Sequence, residues 1–211
     1  NSAGTAYGNE QIFTTTNNLF AIGQSYQGGI VAYIDSSGIH GLIAAPSDQG
    51  YARWGCYGTE ISGADGTAIG TGNQNTIDIM IGCSEAGIAA RLCGDLVLGG
   101  YSDWYLPSKD ELNQLYLNRV AIGGFAFNSY WSSTEVSSDH AWLQGFGNGS
   151  QYSLHKGYFN GVRAVRAFTT TNIVLPTITT TAVSSITGFS ANSGATITSD
   201  GGATLSAWGV C

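Results

Sequence analysis

The chain has 211 residues, of which 43% are hydrophobic and only 10% charged, and its 14 acidic against 7 basic side chains leave a net charge of −7. Phosphate recognition rests on clustered cations, so this balance argues against nucleic acid as a partner. No apolar run approaches the roughly 20 residues of a membrane-spanning helix, so direct membrane insertion is not expected.

Solubility must come from Ser, Thr, Asn, Gln and the turns made by 31 Gly, a composition common in secreted and cell-surface β-rich proteins. Residues 1–23 are polar, with "TTTNN" at 14–18, and read as a linker or edge segment. From residue 28 the pattern sharpens. "GGIVAYID" (28–35) is strand-like, "SSG" (36–38) is a turn and "HGLIAAP" (40–46) is a second strand, which predicts a hairpin. Residues 55–75 are Gly-rich and loop-like. Residues 75–96 then show helical spacing through Ile77, Met80, Ile81, Ile88 and Leu92, with Gly82 and Gly87 marking a break.

The clearest local signal is "WYLPSKDELNQLYLN" (104–118). Ser108 followed by Glu111 is a capping box, and Leu112, Leu115 and Tyr116 form an apolar stripe, so a helix is predicted over 109–118. Short β-like runs follow: "YWSSTE" (130–135), "AWLQGF" (141–146), "QYSLH" (151–155) and "VRAVRAF" (162–168). Strands, two helices and strands again give an α+β class with antiparallel pairing. In "VRAVRAF" the Val and Phe side chains are expected inward and the intervening residues outward. Trp104, Trp131, Trp142 and Phe146 are expected in the core, because large rings bury much area. Residues 169–211 are Thr/Ser-rich and read as the start of a β-sandwich module, too short to close one alone.

None of Cys56, Cys83, Cys93 and Cys211 forms a C-x-x-C pair, which removes zinc-ribbon and thioredoxin readings. Cys83 and Cys93 cannot bond along one continuous helix. One disulfide with leftover thiols remains, with Cys56 and Cys83 the candidate pair and Cys211 as if parted from a partner further along. Catalytic signatures are missing: His40, His140 and His155 are scattered, and neither G-x-S-x-G nor H-E-x-x-H occurs. No enzyme and no cofactor are therefore expected, with calcium in the oxygen-rich loop "SGADGT" (62–67) as the alternative.

Several motifs occur in a fixed order: "GYSDWYLPSKDELNQLY" (100–116), "YWSSTE", Ala141-Trp142 and "VRAVRAF", preceded by "WGCYGTEI", "TAIGTGNQNT" and "AARLC". Through them residues 24–168 closely resemble the Lcl C-terminal domain family, a bacterial surface-protein domain. The resemblance implies a C-type lectin-like fold, related to the formylglycine-generating enzymes. In such folds the chain ends pair as neighbouring strands, here "GGIVAYID" with "VRAVRAF", and irregular loops form the ligand face. The oxidising enzymes of that group need a reactive cysteine pair late in the domain, and residues 113–168 contain no cysteine. The tail resembles the opening of immunoglobulin- or fibronectin-like repeats in Bacteroidetes-type adhesins.

The expected function is binding of a host or environmental glycan or protein, outside the cell, through residues 136–161. The candidate contacts are His140, Gln144, Asn148, Gln151, Tyr152, His155, Lys156, Tyr158, Phe159 and Asn160, helped by the loop at 55–72. Tyr gives rigid contact area, and small polar residues adapt their hydrogen bonds. Net negative charge argues against sulfated glycans, for which only Lys156, Arg163 and Arg166 are at hand. Many of these positions are Asn in the resembling family. Here they carry residues reachable from an Asn codon through its first two bases, so a retroelement-diversified face and ordinary loop drift both account for them. The alternative function is structural: a fibre subunit joined to neighbouring copies by strand addition through 1–23 and 169–211.

Overall fold

The computed structural model describes residues 20–170, 177–190 and 192–199. Most of the N-terminal linker and Cys211 lie outside them. The chain divides into two compact units, Asn1–Thr169 and Thr170–Cys211. In the first, the strands are β1 (Ser25–Tyr26), β2 (Gly29–Ile34), β3 (His40–Ala44), β4 (Gly50–Arg53), β5 (Ser129–Glu135), β6 (His140–Gly145), β7 (Gln151–His155), β8 (Phe159–Val162) and β9 (Val165–Thr169). Between β4 and β5 lie the helices α1 (Gly72–Gly82), α2 (Ala89–Gly94), α3 (Lys109–Leu117) and α4 (Arg119–Ile122). The class is α+β.

The strands form two sheets, ordered β1-β2-β3-β9 and β4-β8-β5-β6-β7. The predicted β2–β3 hairpin is present, closed by Asp35, whose Oδ1 accepts the Ser37 amide at 3.1 Å. Two expectations for "VRAVRAF" are corrected. It does not lie beside "GGIVAYID": β9 pairs with β3, from His40↔Thr169 to Ala44↔Val165, because β2 already has β1 on its other edge. Nor is it one strand. Val162 ends β8 in the five-stranded sheet, and Val165 begins β9 in the other. The partner segment between β3 and β4 makes the same crossing alongside: Ala45 donates to the Ala164 carbonyl at 2.9 Å, and Gln49 to the Val162 carbonyl at 2.8 Å. Two paired strands thus change sheets together, with Arg163 fully buried at the corner.

The predicted break in the first helical stretch separates α1 from α2. Cys83 leaves α1 in extended conformation, and Gly87 turns the chain at φ 69°. In α3 both capping-box bonds form. Buried Glu111 also accepts the Gly70 amide at 2.8 Å and the Tyr105 hydroxyl at 3.2 Å, which fixes the Gly-rich loop to the helix start. Gly72 must be glycine, because a Cβ would stand 2.1 Å from Glu111 Oε2.

One core cluster gathers Trp54, Trp104, Trp131, Leu106 and Leu143, and another Leu112, Leu115, Tyr130, Phe146 and Val165. The Trp131 indole donates to the Ala52 carbonyl at 3.1 Å and that of Trp54 to the Ser132 carbonyl at 2.9 Å. Trp142 departs from expectation. It is half-buried, with the Lys109 ammonium 4.5 Å from its ring centre. Cys56 and Cys83 form the disulfide, Cα atoms 5.7 Å apart. Cys93 is a buried free thiol whose pKa burial raises. In the second unit, β10 (Thr177–Ser184) and β11 (Asn192–Ser199) pair antiparallel, with Thr179 opposite Thr196.

Candidate ligand face

The ten residues expected to bind do not share one surface. His140, Asn148, Tyr152, Tyr158 and Phe159 are exposed; Gln151 and His155 are half-buried. Gln144 and Lys156 are buried and correct the expectation; Asn160 is buried too, but borders a cleft. Gln144 reaches inward, its amide donating to the Gly149 carbonyl at 2.7 Å. Gln151 donates to the Lys109 carbonyl at 2.9 Å and so ties β7 to α3.

Lys156 is fully buried beneath the loop it was expected to accompany. Its ammonium pairs with Glu135, donates to the Thr59 carbonyl at 2.9 Å and lies 4.5 Å from the Trp54 ring centre. Glu135 in turn accepts the Ile61 amide at 2.9 and 3.0 Å. A buried charge is tolerated when paired and hydrogen-bonded, and this one pins residues 55–61 to the sheet. Arg163 and Arg166 are internal as well, not outward. Arg166 forms a fork with Asp103, both contacts at 2.8 Å, and stacks 3.8 Å from the Tyr101 ring centre. That guanidinium holds the Asp103 carboxyl below its ordinary pKa. All three cations considered for a polyanion are therefore occupied inside the domain.

The exposed aromatic side chains form two groups. In the first, Tyr57 stacks on His155 at 3.7 Å, Tyr158 meets the same imidazole edge-on at 5.5 Å, and His140 is its cross-strand partner. Tyr57 comes from the Gly-rich loop. It follows Cys56, which holds φ 42° within the disulfide, and Gly58 donates to the Ser138 carbonyl at 3.0 Å.

In the second group, Tyr51 lies between Phe127 and Phe159. Ring centres are 5.2 and 5.9 Å apart, with planes inclined 25° and 27°. The Arg53 guanidinium caps Phe159 at 5.1 Å. The sequence permits this row because Gly161 stands opposite Tyr51; a Cβ there would lie 2.8 Å from Phe127. Phe127 is held through its amide, which donates to the Tyr130 hydroxyl at 3.0 Å. That hydroxyl donates to Asp48 at 2.8 Å, and burial pushes its pKa up to about 12. Beside the row is a cleft of 280 Å³ bordered by Tyr51, Phe127, Asn128, Ser129 and Asn160. An adjoining cleft shares Asn128 and Ser129 and reaches Asn148 and Tyr152, whose hydroxyl is 3.2 Å from that of Ser129.

Sequence reasoning centred on residues 136–161, with the loop at 55–72, missed Tyr51, Phe127, Asn128 and Ser129. For Tyr51 a signal existed: Tyr51 and Arg53 alternate with buried Ala52 and Trp54 at the period of a half-buried strand. Three carbonyls of the "SGADGT" loop, those of Ala64, Gly66 and Thr67, accept hydrogen bonds from the protein. Ala64 accepts from Glu135, and Gly66 accepts from Asn75 and Thr134. Among the described residues, the one cluster of three metal-capable side chains is Cys56, Cys83 and Glu85, and its sulfurs are joined in the disulfide.

Compared with known proteins, residues 65–166 match the model of the Lcl C-terminal domain family. The match spans both cores' helices and most of the five-stranded sheet, and leaves Tyr51 and Tyr57 outside it. No curated protein matches the chain. No described helix is long and apolar enough to cross a membrane.

Proposed function

We propose that residues 24–168 form a non-enzymatic, extracellular ligand-binding domain of a bacterial surface protein, C-type lectin-like in arrangement, that takes glycan or protein through its exposed aromatic face. The family match supports placement at the cell surface. The carrying observation is the contrast between side chains: Lys156, Arg163 and Arg166 are drawn inside and paired, while Tyr51, Tyr57, Tyr158 and Phe159 stay roughly half exposed. Exposed rings grouped on a rigid frame are what a recognition surface needs. The absence of catalysis is part of the proposal. The one free thiol among the described residues, Cys93, is buried with its pKa raised, the opposite of an activated nucleophile.

A glycan and protein array with the purified chain tests this reading. Binding is expected to fall when Tyr152, Tyr158 and Phe159 are all changed to Ala. Undiminished binding by that variant would move the face elsewhere. The β10–β11 pair favours a second reading, a fibre subunit. Among the described residues this unit is a lone two-stranded sheet, and such hairpins gain stability from added strands. Light scattering that shows a monomer at every concentration would remove it.

A further inference from the structure

Arg53 stands apart from the other six cations. Arg91 donates to the Met80, Cys83 and Glu85 carbonyls, and Arg119 to that of Tyr116. Lys109 lies half-buried over Trp142, and Lys156, Arg163 and Arg166 are buried in ion pairs. Arg53 alone is exposed, and among the described residues its side chain has neither a hydrogen bond nor an acidic partner. It sits at the end of the Phe159–Tyr51–Phe127 row, directly across from Phe159 in the β4–β8 register.

We propose that this row is a subsite for a carboxylated pyranose, a uronic or sialic acid residue of a glycan; the proposal rests on the ligand-binding reading above and names its chemistry. The rings are offset rather than face to face, since their centres are 5.2 and 5.9 Å apart, and Tyr51 and Phe159 keep 56% and 47% of their surface exposed. Open aromatic faces suit the flat C–H face of a sugar ring. The guanidinium fork beside them suits one carboxylate, which it can grip through two N–H donors. At the Phe127 end of the row, opposite Arg53, Asn128 and Ser129 border the cleft with amide and hydroxyl groups for the hydroxyls of the next sugar in the glycan.

Charge count decides between acidic ligands. A polysulfated chain needs several neighbouring cations, and the candidates for that role are sealed in ion pairs. One exposed guanidinium in an acidic domain selects one charge. An acidic peptide offers that charge but has little apolar surface to lay across three rings. The cleft, at 280 Å³, falls just below the ~300–1,000 Å³ range of drug-sized pockets, which fits one sugar beside the carboxylated one.

The test is calorimetric titration of the whole chain with a glucuronate-terminated unsulfated oligosaccharide, sialyllactose, lactose, a heparin oligosaccharide and a poly-glutamate peptide. At least one carboxylated sugar is expected to bind about tenfold more tightly than lactose, the effect of one charge-assisted contact. Whichever arm responds identifies the source of the carboxylate. Arg53→Gln is expected to abolish the preference, Arg53→Lys to keep part of it, and Tyr51→Ala to weaken all sugars. Ile81→Ala, exposed on α1 and outside both aromatic groups, is expected to leave it unchanged. Equal binding of lactose, stronger binding of heparin or peptide, or an unaffected Arg53→Gln variant overturns the proposal. If array ligands bind but ignore Arg53 and Tyr51, only this subsite falls. If nothing binds on the array or in solution, the ligand-binding reading falls with it.

Discussion

Asp48 lies where the two sheets meet and answers three donors at once. It accepts Arg163 Nε at 2.7 Å, the Tyr130 hydroxyl at 2.8 Å and the Ala126 amide at 3.0 Å. Arg163 has no exposed surface, and it also donates to the Ala45 carbonyl at 2.6 Å and the Gly123 carbonyl at 3.4 Å and lies over the Phe125 ring. Removal of Asp48 would leave a buried guanidinium without its counter-charge, a loss of about 3–5 kcal/mol. Asp48→Ala is therefore expected to lower the urea unfolding midpoint sharply. The double variant with Arg163→Met should recover part of the loss, since it removes the orphaned charge. A cost under about 1 kcal/mol, as for a surface pair, would refute a buried pair. The same change also frees the Tyr130 hydroxyl that holds the Phe127 amide, so it should blur the aromatic row even where the domain stays folded.

At the scale of elements, the Cys56–Cys83 bridge joins the loop that carries Tyr57 to the C-terminal end of α1, across a separation of 27 residues. A loop of that length confers roughly 3.5 kcal/mol in the chain-entropy account. Cys56→Ser with Cys83→Ser is expected to lower stability by about that amount and to speed amide exchange over residues 55–61 before the sheet. Equal protection in that loop with and without the bridge would mean that Lys156 and Glu135 alone hold it. Helix α3 was fully legible in the sequence because a capping box is a local device: Ser108 and Glu111 need only each other. The β2–β3 hairpin was legible for the same reason. "VRAVRAF" was not. A period-two pattern tells which side chains share a face, but not that the chain leaves one sheet for another between Val162 and Val165. Its arginines read as outward because their acidic partners, Asp48 and Asp103, stand 115 and 63 residues away in the chain. Lys156 was misread likewise, since its partner Glu135 stands 21 residues away on β5. Residues 136–161 are thus unequal. Gln144 and Lys156 are fixed by their internal contacts, and substitution there should cost stability before it changes recognition.

Over the whole molecule, acidic groups outnumber basic ones two to one, so stability should respond to pH mainly on the acid side. Two carboxyl groups pull in opposite directions. Burial holds the Glu111 pKa above its ordinary value of 4.5, so its contribution is full below that value and is lost as pH rises through the raised one. Hydrogen bonds from Arg166 hold Asp103 below 3.8, so its contribution is full above 3.8 and is lost as pH falls through the lowered value. The wild-type chain should therefore gain a little from Glu111 on acidification from neutral pH, then weaken below about pH 4 as Asp103 protonates. Asp103→Asn separates the two effects. More than half of the Asp103 side chain is exposed, at 57%, so water screens the pair and the neutral-pH loss should be near 1 kcal/mol. Below the lowered pKa the wild-type chain has itself lost the ion pair, so urea midpoints of the two proteins should converge there while remaining apart from pH 5 to 7. A gap that persists at low pH would mean that Asp103 acts through packing rather than charge. It would remove the ion pair as the reason Arg166 can be buried on β9.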